Sequence, residues 1–581
     1  WCSHIYPSSA IYAKDVYDGI SLRYYQRYSY LKYEFIAEPN ADVTQIKLRY
    51  DGVKSVSVSS NTLIVKTAVS RVVELSPVAY QILDNGDTSY VDCKYVLKGN
   101  VVSYAVGDYE RNRTLVIDPV VVFSSYSGSV ADNWGYTATY DSRGNLYGGG
   151  ITFGIGYPTT LGAYQVDYCQ GSESGTTDVS ISKFDSSGQF LHYATYLGGS
   201  YSDIPHSLYV NDNDELYIFG TTASSDFPVT PNAFDTSFNG GSSIVLSTSL
   251  RFPYGSDIFV SKLSADGSQL LASTFVGGSS NDGVNVASGL QKNYADDNRG
   301  EILVDENSNV YVVSSTWSTD FPVTSNAFCD TNSGGQDVCL FKLTQDLSQM
   351  IWSTYIGGTG DDAGYSMMLT ADQTPYICGG TKSTNFPTSF NCLQDTLSGG
   401  VDGFIAHISS NGNYLLHGTY LGRGGYDQAY LVKGDRDDVP YVFGQTDAQG
   451  GSWITNAQYF TLNGGQFLTK ITPSLDGVVW STAFGTGNGG PDISPTALLV
   501  DYCNNIYMSG WGSNELNHFG GTTGLPITAD AFQNTTEGSD SYFISLSDDA
   551  SQLVYGTYFG GAANSAREHV DGGTSRFDRK G

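Results

Sequence analysis

Acidic side chains at a fixed spacing are the first residues in this sequence that could do chemistry. Asp132, Asp203, Asp282 and Asp362 each stand four residues after a phrase that ends in Gly. A single carboxylate of this kind could act as a general acid or base, or as an oxygen ligand. Repeated once per unit, it reads instead as an Asx-type turn cap, because a side chain that recurs in every unit serves the unit. Two acidic clusters, Asp212-Asp214-Glu215 and Asp435-Asp437-Asp438, offer Ca²⁺ donors but lack the twelve-residue EF-hand loop, so solvated turns are expected. Glu568 and His569 near Asp571 have the types for acid–base work, but no nucleophile is placed beside them, and a structural histidine is expected. No H-E-x-x-H, G-x-S-x-G or Gly-Lys phosphate loop occurs. No catalytic residue, metal ligand or cofactor site is therefore assigned.

The eight cysteines contain no C-x-x-C, which weakens zinc and thioredoxin-like chemistry. Their even number in a lysine-poor chain suggests an oxidising compartment. Cys329 with Cys339 and Cys378 with Cys392 are the preferred local pairs, and Cys2 with Cys93 could close the N-terminal region; free buried thiols are the alternative. A site on a repetitive fold has to break the repeat. Residues 239–256, residues 284–300 with their Asp296-Asp297-Asn298-Arg299-Gly300 ending, and residues 511–524 with Glu515 and His518 do so.

Charge narrows the partners. Lys plus Arg number 29 against 59 Asp plus Glu, a net charge of −30. Such a surface repels phosphate backbones and anionic lipid, so no nucleic acid and no polybasic membrane anchor are expected. Apolar runs such as Val120-Val121-Val122-Phe123 stop far short of the roughly 18 residues of a membrane span. Residue 1 is Trp and no n-region precedes an apolar stretch, so the chain reads as a mature or trimmed product. Aromatic residues make up 13%, enough for a core, and the 68 glycines have no three-residue period, which excludes disorder and collagen.

The elements that must hold these residues come from an internal repeat. Ala194-Thr195-Tyr196-Leu197-Gly198-Gly199 returns at 273–278, 353–358 and 556–561, and more weakly at 124–128, 418–422 and 481–485. A polar turn six residues before a Tyr starts at Asp141, Asn211, Asp305, Thr370, Asp435 and Asp501, and its opening recurs at Asp578. Two further phrases, Asp226-Phe227-Pro228-Val229-Thr230 and Asp257-Ile258-Phe259-Val260-Ser261-Lys262-Leu263, also recur. Alternating stretches with tight turns between them predict four strands per unit, and seven units in tandem predict a β-propeller. The tyrosines at 147, 217, 311, 376, 441 and 507 are expected to pair across strands. Residues 1–118 lack the repeat but alternate at 31–36, 45–50, 62–66 and 90–97, which predicts a small all-β domain of sandwich type.

At this point the phrases are recognisable. Ser353-Thr354-Tyr355-Ile356-Gly357-Gly358 and Asp226-Phe227-Pro228-Val229-Thr230-Pro231-Asn232-Ala233-Phe234 resemble the SBBP repeat, named for a seven-bladed β-propeller. Val16-Tyr17-Asp18-Gly19-Ile20, Tyr33-Glu34-Phe35 and Leu115-Val116-Ile117-Asp118-Pro119 are similar to the β-domain that often precedes such repeats in large secreted Bacteroidota proteins. The stretch from Glu568 to Asp578 resembles one common in their last blade. The resemblance implies export by the type IX secretion system and a gliding-motility-associated setting, with no established general activity. The sequence departs from the pattern in that no sorting domain follows Gly581.

The expectation is thus an all-β chain with an N-terminal β-sandwich-like domain (1–118) and a seven-bladed β-propeller (119–581) whose last blade is incomplete. The expected function is a non-enzymatic, secreted or cell-surface binding or spacer module of a larger adhesin-like protein, on the outer face of the outer membrane. Its ligand, protein or glycan, would sit on loops at one propeller face. A glycan-active propeller with two unrepeated carboxylates is one alternative, and a cargo or partner of the export or gliding machinery is another.

Overall fold

The computed structural model describes residues 10–577 apart from 28–29, 60, 67–70, 75–76, 83–87, 119–128, 170–175, 187, 189, 247–249, 295, 514–519, 562–569 and 571. Two compact units are present: residues 1–126 with the turns 143–146 and 184–192, and the remainder of the chain. Apart from two single-turn 3₁₀ segments, Val43–Gln45 and Asp296–Asn298, every regular element is a strand.

In the N-terminal unit a six-stranded sheet runs in the order Ala10–Tyr17, Ile20–Arg27, Tyr30–Ala37, Leu115–Asp118, Val78–Ile82, Thr88–Val91. Two three-stranded sheets accompany it, one from Cys93–Lys98, Val101–Val106 and Leu48–Arg49, the other from Ser55–Ser59, Thr62–Lys66 and Arg71–Glu74. Phe35, Ile117, Leu63, Val65, Tyr95 and Val102 from all three sheets meet in one core, as the inward positions of alternating strands do. The run 45–50 keeps only two strand residues, because Asp42 caps the 3₁₀ turn by accepting the Thr44 N–H at 3.1 Å. The run 90–97 is split at Asp92 between two sheets.

The second unit contains six four-stranded antiparallel sheets, blades one to six, each in chain order from an inner to an outer strand. The inner strands are Asn133–Tyr140, Asp203–Val210, Glu301–Val304, Asp362–Leu369, Asp427–Gly434 and Ser494–Val500. In blades two, four, five and six the inner strand carries a bulge, at His206, Tyr365, Tyr430 and Thr496 respectively. The second strand answers with a glycine: a Cβ on Gly220, Gly379 or Gly444 would run into the inner-strand carbonyl of Ile204, Ala363 or Gln428. Each outer strand that follows the repeat is bulged too, beside Lys262, Lys342, His407, Lys470 and Ser545, which roughens the exposed sheet edge.

Apolar clusters join each blade to the next from one to six, for example Tyr217, Phe219 and Val260 against Val312, Phe341 and Tyr355. Among the described residues none joins blade six to blade one. Nor is a seventh sheet present among them; of the expected incomplete seventh blade, only the segment of its first strand falls among the described residues. That segment makes one isolated parallel bridge, Thr574 with Ser207 of the inner strand of blade two. Its backbone N–H groups at Gly573, Thr574, Ser575 and Arg576 donate to the carbonyls of Asn298, His206, Thr496 and Ala138, tying together blades one, two and six and the linker into blade three. Asp578 and the phrase at 124–128 lie outside the described residues.

Candidate functional site

The inner strands begin at one end of the propeller axis and finish at the other, and the two ends differ. Where they finish, a pocket of about 580 Å³ opens on the axis, lined from all six inner strands and by Arg576 and Phe577. Its lining is mixed: Leu303, Met367, Met368 and Leu499 are among its apolar members, and Thr139, Ser142 and Asn211 among its polar ones. Tyr209, Leu303, Met368, Lys433 and Leu499 hold the same place in successive blades, each opposite the repeated tyrosine of the second strand. Two residues earlier stand Ser207, Glu301, Ser366, Leu431 and Ala497. Glu301 and Lys433 are the charged members of these two levels, and they meet. Lys433 Nζ donates to Glu301 Oε1 at 2.6 Å, and Arg576 Nη1 lies 3.0 Å from the same oxygen. Glu301 Oε2 accepts the Ser366 hydroxyl at 2.6 Å and the Met367 N–H at 2.8 Å. Burial alone would raise this carboxyl, but the charges of Lys433 and Arg576 outweigh it and hold it below the usual range. Lys433 is lowered by its own burial, though Glu301 opposes this.

The repeated turn acids ring this end of the axis as caps. Asp305 Oδ1 accepts the Asn307 and Asn309 N–H groups at 2.9 and 2.8 Å, and its Oδ2 takes Lys342 Nζ at 2.9 Å. Asp435 repeats this with Asp437, Val439 and Lys470, and Asp501 with Cys503 and Asn505. Asp141 meets Lys183 at 3.3 Å. The lysines lie over the repeated tyrosines, Lys342 Nζ being 4.5 Å from the Tyr311 centroid. Glu215 pairs with Lys262 at 2.7 Å, while Asp212 and Asp437 are exposed.

At the opposite end, the acids after the Gly pair close the handover turns, and Asp203 and Asp362 also start inner strands. Asp203, Asp282 and Asp362 accept the N–H of Gly199, Gly278 and Gly358 at 2.8, 2.7 and 2.8 Å. Asp132 departs from this arrangement and is exposed. A second acid starts the third strand of blades one to four: Asp178, Asp257, Asp337 and Asp402. A Cβ on Gly277 would strike both Asp257 and Asp282, which explains the glycine there. Burial pushes Asp257 up to about 7 and Asp282 up to about 8; Asp235 raises Asp257 further, and Asp257 raises Asp282. Residues 284–300 fill the axis at this end. Asp296 Oδ2 accepts the Lys292 and Asn293 N–H groups and the Tyr430 hydroxyl at 2.9, 2.7 and 2.9 Å, and its Oδ1 takes Arg299 Nε at 2.7 Å. Arg299 also donates to Pro495 O and Ser494 Oγ, at 3.0 and 2.9 Å. Residues 239–256 form a loop with a short hairpin, Ile244–Val245 with Arg251–Phe252.

The described cysteines are all free thiols. Cys339 is in the third strand of blade three, whereas Cys329 lies beyond the outer strand, bonded to Thr354 and Tyr355. Two strand spacings, about 9–10 Å, exceed the roughly 7 Å that a disulfide can bridge. Cys378 is in the second strand of blade four and Cys392 again lies beyond the outer strand, so that expected pair is farther apart still. Cys93 is buried, which pushes its thiol up to about 12; Cys2 lies outside the described residues, as do Glu515, His518, Glu568, His569 and Asp571.

Sequence reasoning missed Glu301, Lys433 and Arg576. The signal was a charge at a repeat position that is otherwise uncharged, as in Val432-Lys433-Gly434 against Tyr209-Val210 and Leu499-Val500.

Comparison with known proteins agrees on architecture. Residues 294–322 match the family described as a beta-propeller repeat, SBBP, and residues 1–120 match a domain of unknown function, DUF7948. The chain is a β-propeller protein carrying the SBBP repeat. No curated protein matches it. Among solved structures it is similar to a protein of unknown function from Bacteroides caccae (8% identity, 67% of this chain and 93% of that one, TM-score 0.29). It is also similar to the NanB sialidase from Streptococcus pneumoniae (9%, 91% and 86%, 0.37) and to a PL25 ulvan lyase (8%, 74% and 86%, 0.36). Likeness at this level carries no site and no activity to this chain. Among the described residues no helix is long and apolar enough to cross a membrane.

Proposed function

We propose that this chain is a non-catalytic ligand-binding propeller whose ligand enters the axial pocket. The observation that carries this is the pocket itself, with a size in the range of small-molecule sites and a lining that differs from blade to blade. Three of its carboxylates are committed elsewhere. Asp435 and Asp501 cap turns, and Glu301 is held ionised by two cations, which leaves it unable to donate a proton as a general acid. The resemblance to SBBP-repeat proteins supports a setting in a larger secreted or cell-surface, adhesin-like protein exported by the type IX system. Titration of the purified chain with small molecules, read by intrinsic fluorescence and by product analysis, tests the reading. Saturable binding without turnover is expected; release of product from a glycan, abolished in Glu301→Gln, would refute it.

A further inference from the structure

The charges at the pocket floor do not balance. Lys433 and Arg576 share one carboxylate, Glu301, and its other oxygen is already filled by Ser366 and the Met367 N–H. Of the three Lys433 N–H groups, one goes to Glu301 and one to the Met367 carbonyl at 3.1 Å, which leaves one. Arg576 gives Nε to Leu208 O, Nη2 to Ser207 Oγ and Ile302 O, and one Nη1 proton to Glu301, which again leaves one. Both side chains line the pocket. A surplus cation with unspent donors in a partly desolvated site is complementary to an anion.

The walls and rim restrict which anion. Leu303, Val304, Met367, Met368, Leu369 and Leu499 give continuous apolar surface beside the two cations, while the hydroxyl and amide side chains Thr139, Tyr140, Ser142, Asn211 and Tyr502 come from blades one, two and six. The rim carries Asp141, Asp212, Asp435 and Asp501 against one cation, Arg436, which disfavours a multiply charged anion such as a phosphate. We infer that the axial pocket takes a single carboxylate carried on an apolar chain, its head on Lys433 and the remaining Nη1 proton of Arg576 and its body along the leucine and methionine walls.

This inference rests on the axial pocket being the binding site, and the test separates the two. Isothermal titration of the whole chain at pH 7 would use decanoate, 1-decanol and glucuronate as probes, with Lys433→Met and Lys433→Arg variants. Decanoate is expected to bind, to weaken at least tenfold in Lys433→Met, and to stay within threefold in Lys433→Arg, whose folding shows that the charge matters. Equal binding of decanoate and decanol, unchanged in Lys433→Met, overturns the anionic head while leaving the pocket as the site. Binding of glucuronate alone overturns the apolar body. If none of the three binds, both readings fall.

Discussion

Each end of the propeller axis holds a buried carboxylate set on a cation, yet one end is closed and the other is open. At the closed end Asp296 faces a single cation, Arg299, whose three nitrogens all donate, and whose guanidinium lies 4.5 Å from the Tyr430 centroid. Around them Tyr365, Tyr426, Gln428 and Gln445 bond one another and residues 285–293, so the charged groups that enter the axis here are met by partners, while Asn298 Oδ1 is left without one. At the open end Glu301 faces two cations and N–H groups are left over. The difference teaches that charge inside a propeller makes a plug when donors and acceptors match, and a receptor when they do not.

The largest expected effect breaks the plug. Asp296→Ala strands the buried Arg299 and removes the acceptor of two backbone N–H groups, at a cost of about 3–5 kcal/mol. Lys433→Met leaves Glu301 with Arg576, Ser366 and the Met367 N–H, so about 1 kcal/mol or less is expected. Denaturant unfolding of both variants beside the parent measures the contrast. Equal losses would mean that the Lys433 cluster is a staple of the fold and not a site.

A second effect separates the two ends by pH. At the closed end the handover acids are raised: Asp257 to about 7, Asp178 and Asp282 to about 8, Asp362 and Asp427 to about 6, all through burial first. The folded state then holds protons that the unfolded chain has released above its ordinary value near 4. Their contribution is complete below pH 4 and is lost as pH rises through about 6 to 8, with a slope of up to about 1.4 kcal/mol per pH unit for each group. At the open end Glu215, Glu301 and Asp305 are lowered, so their contribution is present above about pH 4 and is lost as pH falls through their folded values. Thermal midpoints should therefore peak in mildly acidic buffer and fall toward pH 8. Asp282→Asn should flatten the alkaline limb; an unchanged limb would show that Asp282 carries no extra proton in the fold.

Much of this was legible in the sequence, though unevenly. The turn acids, the handover acids and the tyrosines recur at fixed spacing, and recurrence identified them as parts of each blade. Residues 284–300 stood out because they interrupt the repeat, but nothing local says that they enter the axis; their partners Tyr430, Gln445 and Ser494 lie more than a hundred residues on. The Glu301, Lys433 and Arg576 cluster was hidden for the same reason, since three blades' worth of chain must close before those residues meet. The two local pairs, Cys329 with Cys339 and Cys378 with Cys392, failed because proximity in sequence hid an intervening strand. The expected seventh blade came from counting phrases, and counting cannot say how the segment from Gly573 to Arg576 will find its hydrogen bonds.

The smallest effect tests whether the lysine and turn acid that ring the open end act as a pair. In blades one, three and five a Lys lies over the repeated Tyr and reaches the turn Asp: Lys183 to Asp141, Lys342 to Asp305, Lys470 to Asp435. Blade four replaces both partners. Thr370 stands at the turn, and His407 stacks on Tyr376 at 3.7 Å while its Nε2 meets the Thr374 hydroxyl at 2.7 Å. Burial, helped by His417, brings His407 down to about 4, so it is neutral at pH 7. Thr370→Asp alone adds a carboxylate with no cation, and His407→Lys alone adds a half-buried cation with no anion; each should destabilise by about 1 kcal/mol. The double variant restores the pairing of the other blades, and a double-mutant cycle should return a favourable coupling of about 0.5–1 kcal/mol. A coupling of zero would mean that the lysines are held by their tyrosines alone, and that the acids at the open end serve only their turns.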